Sequence, residues 1–154
     1  MRVVAGTLGG RKLQAPSSSV TRPTSDRVRE SLFATLGPIN GLTVLDLFAG
    51  SGALAIEALS RGALSAVLVE RDRGAAKVIE SNLQSLGLGA PEARLIRGSA
   101  QKALEQAAKA AETYDLIFLD PPYRQPAMLG ADAAKLIGTI LAPDARVVTE
   151  SDRR

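Results

Sequence analysis

The sequence predicts an α/β fold: a mainly parallel sheet covered by helices on both faces, preceded by an N-terminal β-hairpin and a helix. Three observations predict it. From residue 43 onward, five short apolar runs alternate with four helix-length amphipathic segments. The runs are nearly continuous in apolar residues, as strands buried on both faces are. The first of them exits into a glycine-rich loop just where a helix opens, the connection on which open α/β sheets place their ligands.

Residues 2–15 read as the hairpin. Val3 and Val4 lie in the outgoing run, Leu8, Gly9 and Gly10 punctuate, and Leu13 lies in the return; Gly-Gly between two such runs is a turn signal. A two-stranded ribbon is marginal alone, so it is expected to pack on the next element. Residues 16–23, PSSSVTRP, read as a polar loop. A helix is predicted over 25–36, with Val28, Leu32, Phe33 and Leu36 on one face, and Gly37 with Pro38 stops it. Strands are predicted at 43–49, 66–71, 94–97, 116–120 and 146–150. Helices between them are predicted at 51–61, 74–86, 99–112 with Ser99 as its cap, and 127–141. Two parts follow: an N-terminal extension over 1–40 and a compact α/β unit over 41–154.

Composition narrows the chemistry. The chain of 154 residues is 45% hydrophobic and 23% charged, the balance of a soluble globular protein. No apolar run approaches membrane-span length, and the opening MRVVAGTLGGRK is too short in apolar residues for a signal peptide. A cytoplasmic location is expected. Cys and His are both absent, which excludes disulfides, thiolate chemistry, a Ser-His-Asp triad and ordinary zinc sites; no metal is expected. The net charge of +3 is unevenly placed. Residues 1–40 hold six basic and two acidic side chains, while residues 41–154 hold 13 and 14. A positive excess confined to one end points to a nucleic-acid surface, with Arg22, Arg27 and Arg29 placed to meet phosphates.

The stretch YDLIFLDPPY (114–123) ends a buried strand in two prolines. Each proline lacks an N–H and holds its predecessor extended, so the strand stops at Asp120 in a stiff loop. Asp120 offers carboxylate oxygens and Pro121 a backbone carbonyl, two acceptors suited to a planar NH2 group. Pro122 stiffens the loop, and Tyr123 offers a face for a base to stack on, worth about 1–3 kcal/mol.

LDLFAGSG (45–52) joins the first strand to its helix. Gly50 and Gly52 permit a tight turn and close approach of a ligand. The N–H groups of Ser51 and Gly52 open the helix and are expected to hold an anion. Glu70 closes the second strand 20 residues after Gly50, where an acidic side chain accepts from ribose hydroxyls. Residues 50–55 also fit the dinucleotide pattern G-x-G-x-x-A. Against a nicotinamide stand Asp46, which repels a pyrophosphate but accepts from an ammonium, and the DPPY loop, which has no task in hydride transfer. S-adenosylmethionine satisfies both: its amino group meets Asp46, its carboxylate the helix N-terminus, its ribose Glu70.

The chain resembles the RsmD type of bacterial 16S rRNA (guanine-N2)-methyltransferase. The resemblance spans essentially all residues and rests on MRVVAGTLGGRKL, RPTSDRVRESLF (22–33), VLDLFAGSGALAIEALSRGA (44–63), VERD (69–72) and DPPY (120–123). It implies a Rossmann-like, class I S-adenosylmethionine-dependent methyltransferase. Asp46, Phe48, Gly50, Ser51 and Gly52 then line the methionine side of the cofactor, and Glu70 and Arg71 its ribose side. Asp120, Pro121, Pro122 and Tyr123 hold the target base. The ribbon and following loop, with Arg2, Arg11, Lys12, Arg22, Thr24 and Arg27, face RNA. The implied partner of a monomeric enzyme is 16S rRNA or a small-subunit assembly particle. Two departures stand out. Ser99 occupies the place beside the adenine where the family carries Asp, and the family's seven-stranded sheet continues for two strands beyond the five found here. The DPPY chemistry equally permits a DNA amino-methyltransferase acting on adenine N6 or cytosine N4. The basic N-terminal quarter is also consistent with a non-catalytic RNA-binding module.

Overall fold

The computed structural model describes residues 1–17, 24–122 and 130–149. Helix α1 (Asp26–Leu36) precedes five strands and four further helices in strict alternation: β1 (Thr43–Asp46), α2 (Ala53–Ser60), β2 (Ser65–Glu70), α3 (Arg73–Ser85), β3 (Ala93–Arg97), α4 (Ala100–Lys109), β4 (Tyr114–Leu119), α5 (Ala131–Thr139) and β5 (Leu141–Thr149). The strands form one sheet in the order β3-β2-β1-β4-β5, and every pair is parallel. The order reverses direction between β1 and β4, which makes the carboxyl end of β1 the switch point where such sheets bind ligands.

Alternation along each strand divides the core into two layers. Val44, Leu68, Leu116 and Phe118 face α2, α3 and the N-terminal segment, together with Phe33, Ile56 and Ile79. Leu45, Val67, Val69, Ile117 and Leu119 face the other way, onto Leu104, Ile137 and Ile140. Val3 and Leu13, 1% and 6% exposed, belong to the first layer, so the N-terminal segment contributes to the same core as the sheet.

The structure alters several expectations. The N-terminal hairpin forms, but it is short: Arg2 bridges Lys12 antiparallel, Val3 N–H donates to Arg11 O, Gly10 N–H to Val3 O and Leu13 N–H to Met1 O. Toward its tip the chain turns N–H groups onto α2. Val4 and Ala5 donate to the Glu57 carboxylate, Thr7 to the Ser60 carbonyl and Leu8 to Ser60 Oγ. Gly6 makes this approach possible: its φ is +82°, and a Cβ there would stand 1.9 Å from the Ser60 carbonyl oxygen. The buried face of α1 is Phe33 and Arg29, while Val28 is 51% exposed. Strand β1 ends at Asp46, three residues early, because the next amides diverge: Leu47 donates to Phe118 on β4 and Ala49 to Val69 on β2. Strand β5 begins at Leu141 instead of 146, and its register shifts between Leu141, opposite Tyr114, and Arg146, opposite Leu116. Glu150 and residues 127–129 lie outside the described residues. Ser99 caps α4 as read, accepting from Lys102 N–H, while Ser25, read as the first helical residue, is the cap of α1 and accepts from Val28 N–H.

Candidate active site at the switch point

Three carboxylates gather at the carboxyl ends of three adjacent strands. Asp46 ends β1, and its register partners are Leu68 on β2 and Phe118 on β4. Glu70 and Asp120 each follow those partners by two residues. Asp46 is buried, 3% exposed. Burial pushes its carboxyl up to about 7, with Asp120 and Glu70 adding to the rise, while the Phe48 N–H donated to Oδ1 at 3.4 Å opposes it. A buried acid flanked by two more acids favours a cation, which restores its charge.

Glu70 is held from behind. Its Oε2 accepts Gly50 N–H at 2.8 Å and its Oε1 accepts Asp72 N–H at 2.9 Å. Each oxygen retains a second lone pair, so a half-buried carboxylate in fixed orientation can still accept from a diol. Asp120 is exposed and Pro121 and Pro122 are half-buried at the exit of β4. Tyr123 lies outside the described residues.

The glycine loop packs tightly. Gly52 has φ +82°, and an added Cβ would meet Leu68 Cδ2 at 3.1 Å. The expected pair of amides opening on an anion is altered: Gly52 N–H donates to Ala49 O at 2.7 Å, inside the loop. Ser51 is buried, and its Oγ accepts Ala53 N–H at 3.3 Å. Phe48 is half-buried against the α4–α5 layer. Arg71 is exposed beside Glu70. Ser99 caps α4 with its hydroxyl oxygen and keeps one O–H to donate.

Of the basic residues, Arg2, Arg11, Lys12 and Arg27 are exposed and Thr24 is half-buried. Arg22 lies outside the described residues. Arg29 is a correction: it is fully buried, paired with Asp26 and with Glu57, and donates to the Arg2 carbonyl. It meets no phosphate, because its guanidinium is the partner of a buried acid. A cavity of about 470 Å3, lined by Thr43, Ser65, Arg94, Glu112 and Tyr114 among others, opens at the opposite end of the sheet and includes none of the three carboxylates.

Three buried polar side chains were missed by sequence reasoning: Glu57, Ser60 and Asn82. The signal for Asn82 is a polar residue at core spacing, aligned on α3 with Ala75, Ile79 and Leu83. Glu57 likewise interrupts the apolar helix ALAIEALS.

The strand order, the glycine loop at the switch point and the acidic edge beside it define a Rossmann-like methyltransferase. The sequence matches the family described as Conserved hypothetical protein 95 over residues 1–154. It is 44% identical over 126 residues to ribosomal RNA small subunit methyltransferase D of Escherichia coli (strain K12), a match covering 81% of this chain and 61% of that protein. The solved structure of the E. coli protein yhhF superimposes with a TM-score of 0.82 at 39% identity, over 97% of this chain and 79% of that one. SMU.776, whose crystal structure is a complex with SAH, shares the fold at 20% identity and a TM-score of 0.68, over 84% of this chain and 35% of that one. The chain belongs to the Conserved hypothetical protein 95 family, that of the small-subunit methyltransferase D proteins.

Proposed function

We propose that this chain transfers a methyl group from S-adenosylmethionine to the exocyclic N2 amine of a guanine in 16S rRNA, free or in a small-subunit particle. The observation that carries the reading is the acidic edge: buried Asp46 between Glu70 and Asp120, at the switch point of a parallel sheet. These residues fit the methyl donor. Asp46 takes its ammonium group, Glu70 its ribose hydroxyls, and the tight turn at Gly50 and Gly52 lets the backbone come close. The negative field of three carboxylates complements a sulfonium.

When bound, S-adenosylmethionine would supply an electrophilic methyl carbon and leave as the neutral thioether S-adenosylhomocysteine. Asp120 and the Pro121 carbonyl accept the two hydrogens of the target amine and turn its lone pair toward that carbon. The amine is a weak nucleophile because its lone pair is delocalised into the ring, so positioning and electrostatics account for most of the acceleration. Asp120, exposed at the rim, offsets the positive charge developing on nitrogen and passes the departing proton to water. Tyr123 stacks on a base taken out of its helix, a step costing a few kcal/mol. Arg2, Arg11, Lys12, Arg22, Thr24 and Arg27 contact the RNA backbone.

Tritium transfer from labelled S-adenosylmethionine into small-subunit particles lacking the modification tests the reading, with nucleoside digestion of the product. N2-methylguanosine is expected, and unlabelled DNA in excess leaves the rate unchanged. Asp120→Ala abolishes transfer while cofactor binding persists. Label in adenine, or wild-type turnover by the variant, refutes the assignment.

A further inference from the structure

Asn82, on the inner face of α3, joins two segments that the proposed function uses differently. It is 1% exposed. Its Nδ2 donates to Ser51 O at 2.9 Å and to Gln14 O at 3.0 Å, and its Oδ1 accepts Gln14 N–H at 2.8 Å. Both donor hydrogens and the acceptor are used, and only one orientation of the amide serves two carbonyls and one N–H. Ser51 sits in the glycine loop. Gln14 lies two residues after Lys12, in the basic N-terminal segment.

The Ser51–Gly52 peptide is held at both ends. Its carbonyl accepts from Asn82, and its N–H donates to Ala49 O at 2.7 Å. Because the peptide unit is planar, these two bonds set the direction of the loop where it approaches a ligand. Without the amide of Asn82, a buried carbonyl loses its donor and the Ser51–Gly52 peptide loses one of its two anchors. The same deletion frees the Gln14 backbone at both its N–H and its carbonyl.

Two other buried side chains fasten the N-terminal segment to the sheet layer. Glu57 accepts from Val4 and Ala5, while Ser60 accepts from Leu8 and donates to Ala5 O. Neither side chain bonds to the glycine loop among the described residues. Asn82 alone of the three touches both segments.

We propose that Asn82 is a positioning residue that holds the cofactor loop and the RNA-facing segment in one frame, so that cofactor affinity and acceptor binding both depend on it. The inference rests on the function proposed above and adds a residue which that function does not use.

Titration with S-adenosylhomocysteine and initial rates on small-subunit particles, for wild type, Asn82→Ala and Ser60→Ala, test it. Asn82→Ala is expected to raise both the cofactor Kd and the acceptor KM about tenfold, with kcat at saturation within about threefold. Ser60→Ala is expected to raise the acceptor KM alone. A cofactor Kd for Asn82→Ala within about twofold of that for Ser60→Ala overturns the inference. Amide exchange in the wild type gives a reading independent of variant folding. S-adenosylhomocysteine is expected to slow exchange at Gln14 severalfold more than at Thr7, whose N–H donates to Ser60 O. Equal slowing at both overturns the coupling. A wild-type chain that binds no S-adenosylhomocysteine overturns the cofactor reading itself, and this inference with it.

Discussion

Asp46 governs how the molecule responds to pH. Its carboxyl is raised from 3.8 to about 7, chiefly by burial. Between those values the folded chain keeps a proton that the unfolded chain has lost, so stability falls as pH rises. The contribution is complete below 3.8 and gone above about 7. Thermal melts of the ligand-free protein across that range are expected to show this decline, and Asp46→Asn to flatten it. A bound ammonium group reverses the preference and draws the proton off. The Kd for S-adenosylhomocysteine is therefore expected to fall as pH rises toward about 7 and then to level, and the slope to vanish in Asp46→Asn, as calorimetric titration can measure. At Gly52 the constraint is steric. Its φ is +82°, and Leu68 Cδ2 lies only 3.1 Å from where a Cβ would stand. Gly52→Ala is expected to lose about 1–2 kcal/mol in urea unfolding and to weaken cofactor binding.

At the scale of elements, α2 serves both the site and the N-terminal segment. It is capped by Gly52 of the glycine loop, and its inner face carries Glu57 and Ser60. The Glu57 carboxylate is fully buried and accepts from Val4, Ala5, Arg29 and Arg61. Arg61 in turn lies over the Phe33 ring, 4.9 Å from its centroid. Glu57→Ala leaves Arg29 buried with Asp26 as its remaining acid and strips two backbone N–H groups of their acceptor. A loss of about 3 kcal/mol is expected, read as a lower urea midpoint with an unchanged m-value. Strand β5 reaches the same region from the far side: Arg146 Nη1 donates to Leu36 O at 2.6 Å, at the carboxyl end of α1. That α1 was legible as a helix follows from local signals, its apolar spacing and its stop at Gly37 and Pro38. Phe33, Leu32 and Leu36 of its apolar face pack on the core as read; the burial of Arg29 was not legible, because the acid that draws it inward lies 28 residues away on α2.

Across the whole molecule, the described cations of the N-terminal quarter divide into those that reach solvent and one that does not. Arg27→Gln is expected to weaken RNA binding uniformly across sequences and to lower the salt slope by about 1, with the melting temperature unchanged. Arg29→Gln, two residues on, is expected to lower the melting temperature instead; binding at several salt concentrations and thermal melts separate the two. No described helix is long and apolar enough to cross a membrane. The alternating α/β order, the parallel sheet, the glycine loop and the acidic strand ends were all readable from the amino-acid sequence. Each is encoded by neighbours: apolar runs of strand length, caps, and residues punctuating a turn. Only the tertiary structure decided the pairing order that sets Asp46 between Glu70 and Asp120, the burial that raises its pKa, and the turning of the hairpin tip, residues 4–8, onto α2. It also decided the inward turn of Arg29 and the clasp of Asn82 on Ser51 and Gln14. Those outcomes depend on which distant groups share a water-free interior, where an unpaired charge or amide is costly enough to redirect the chain around it.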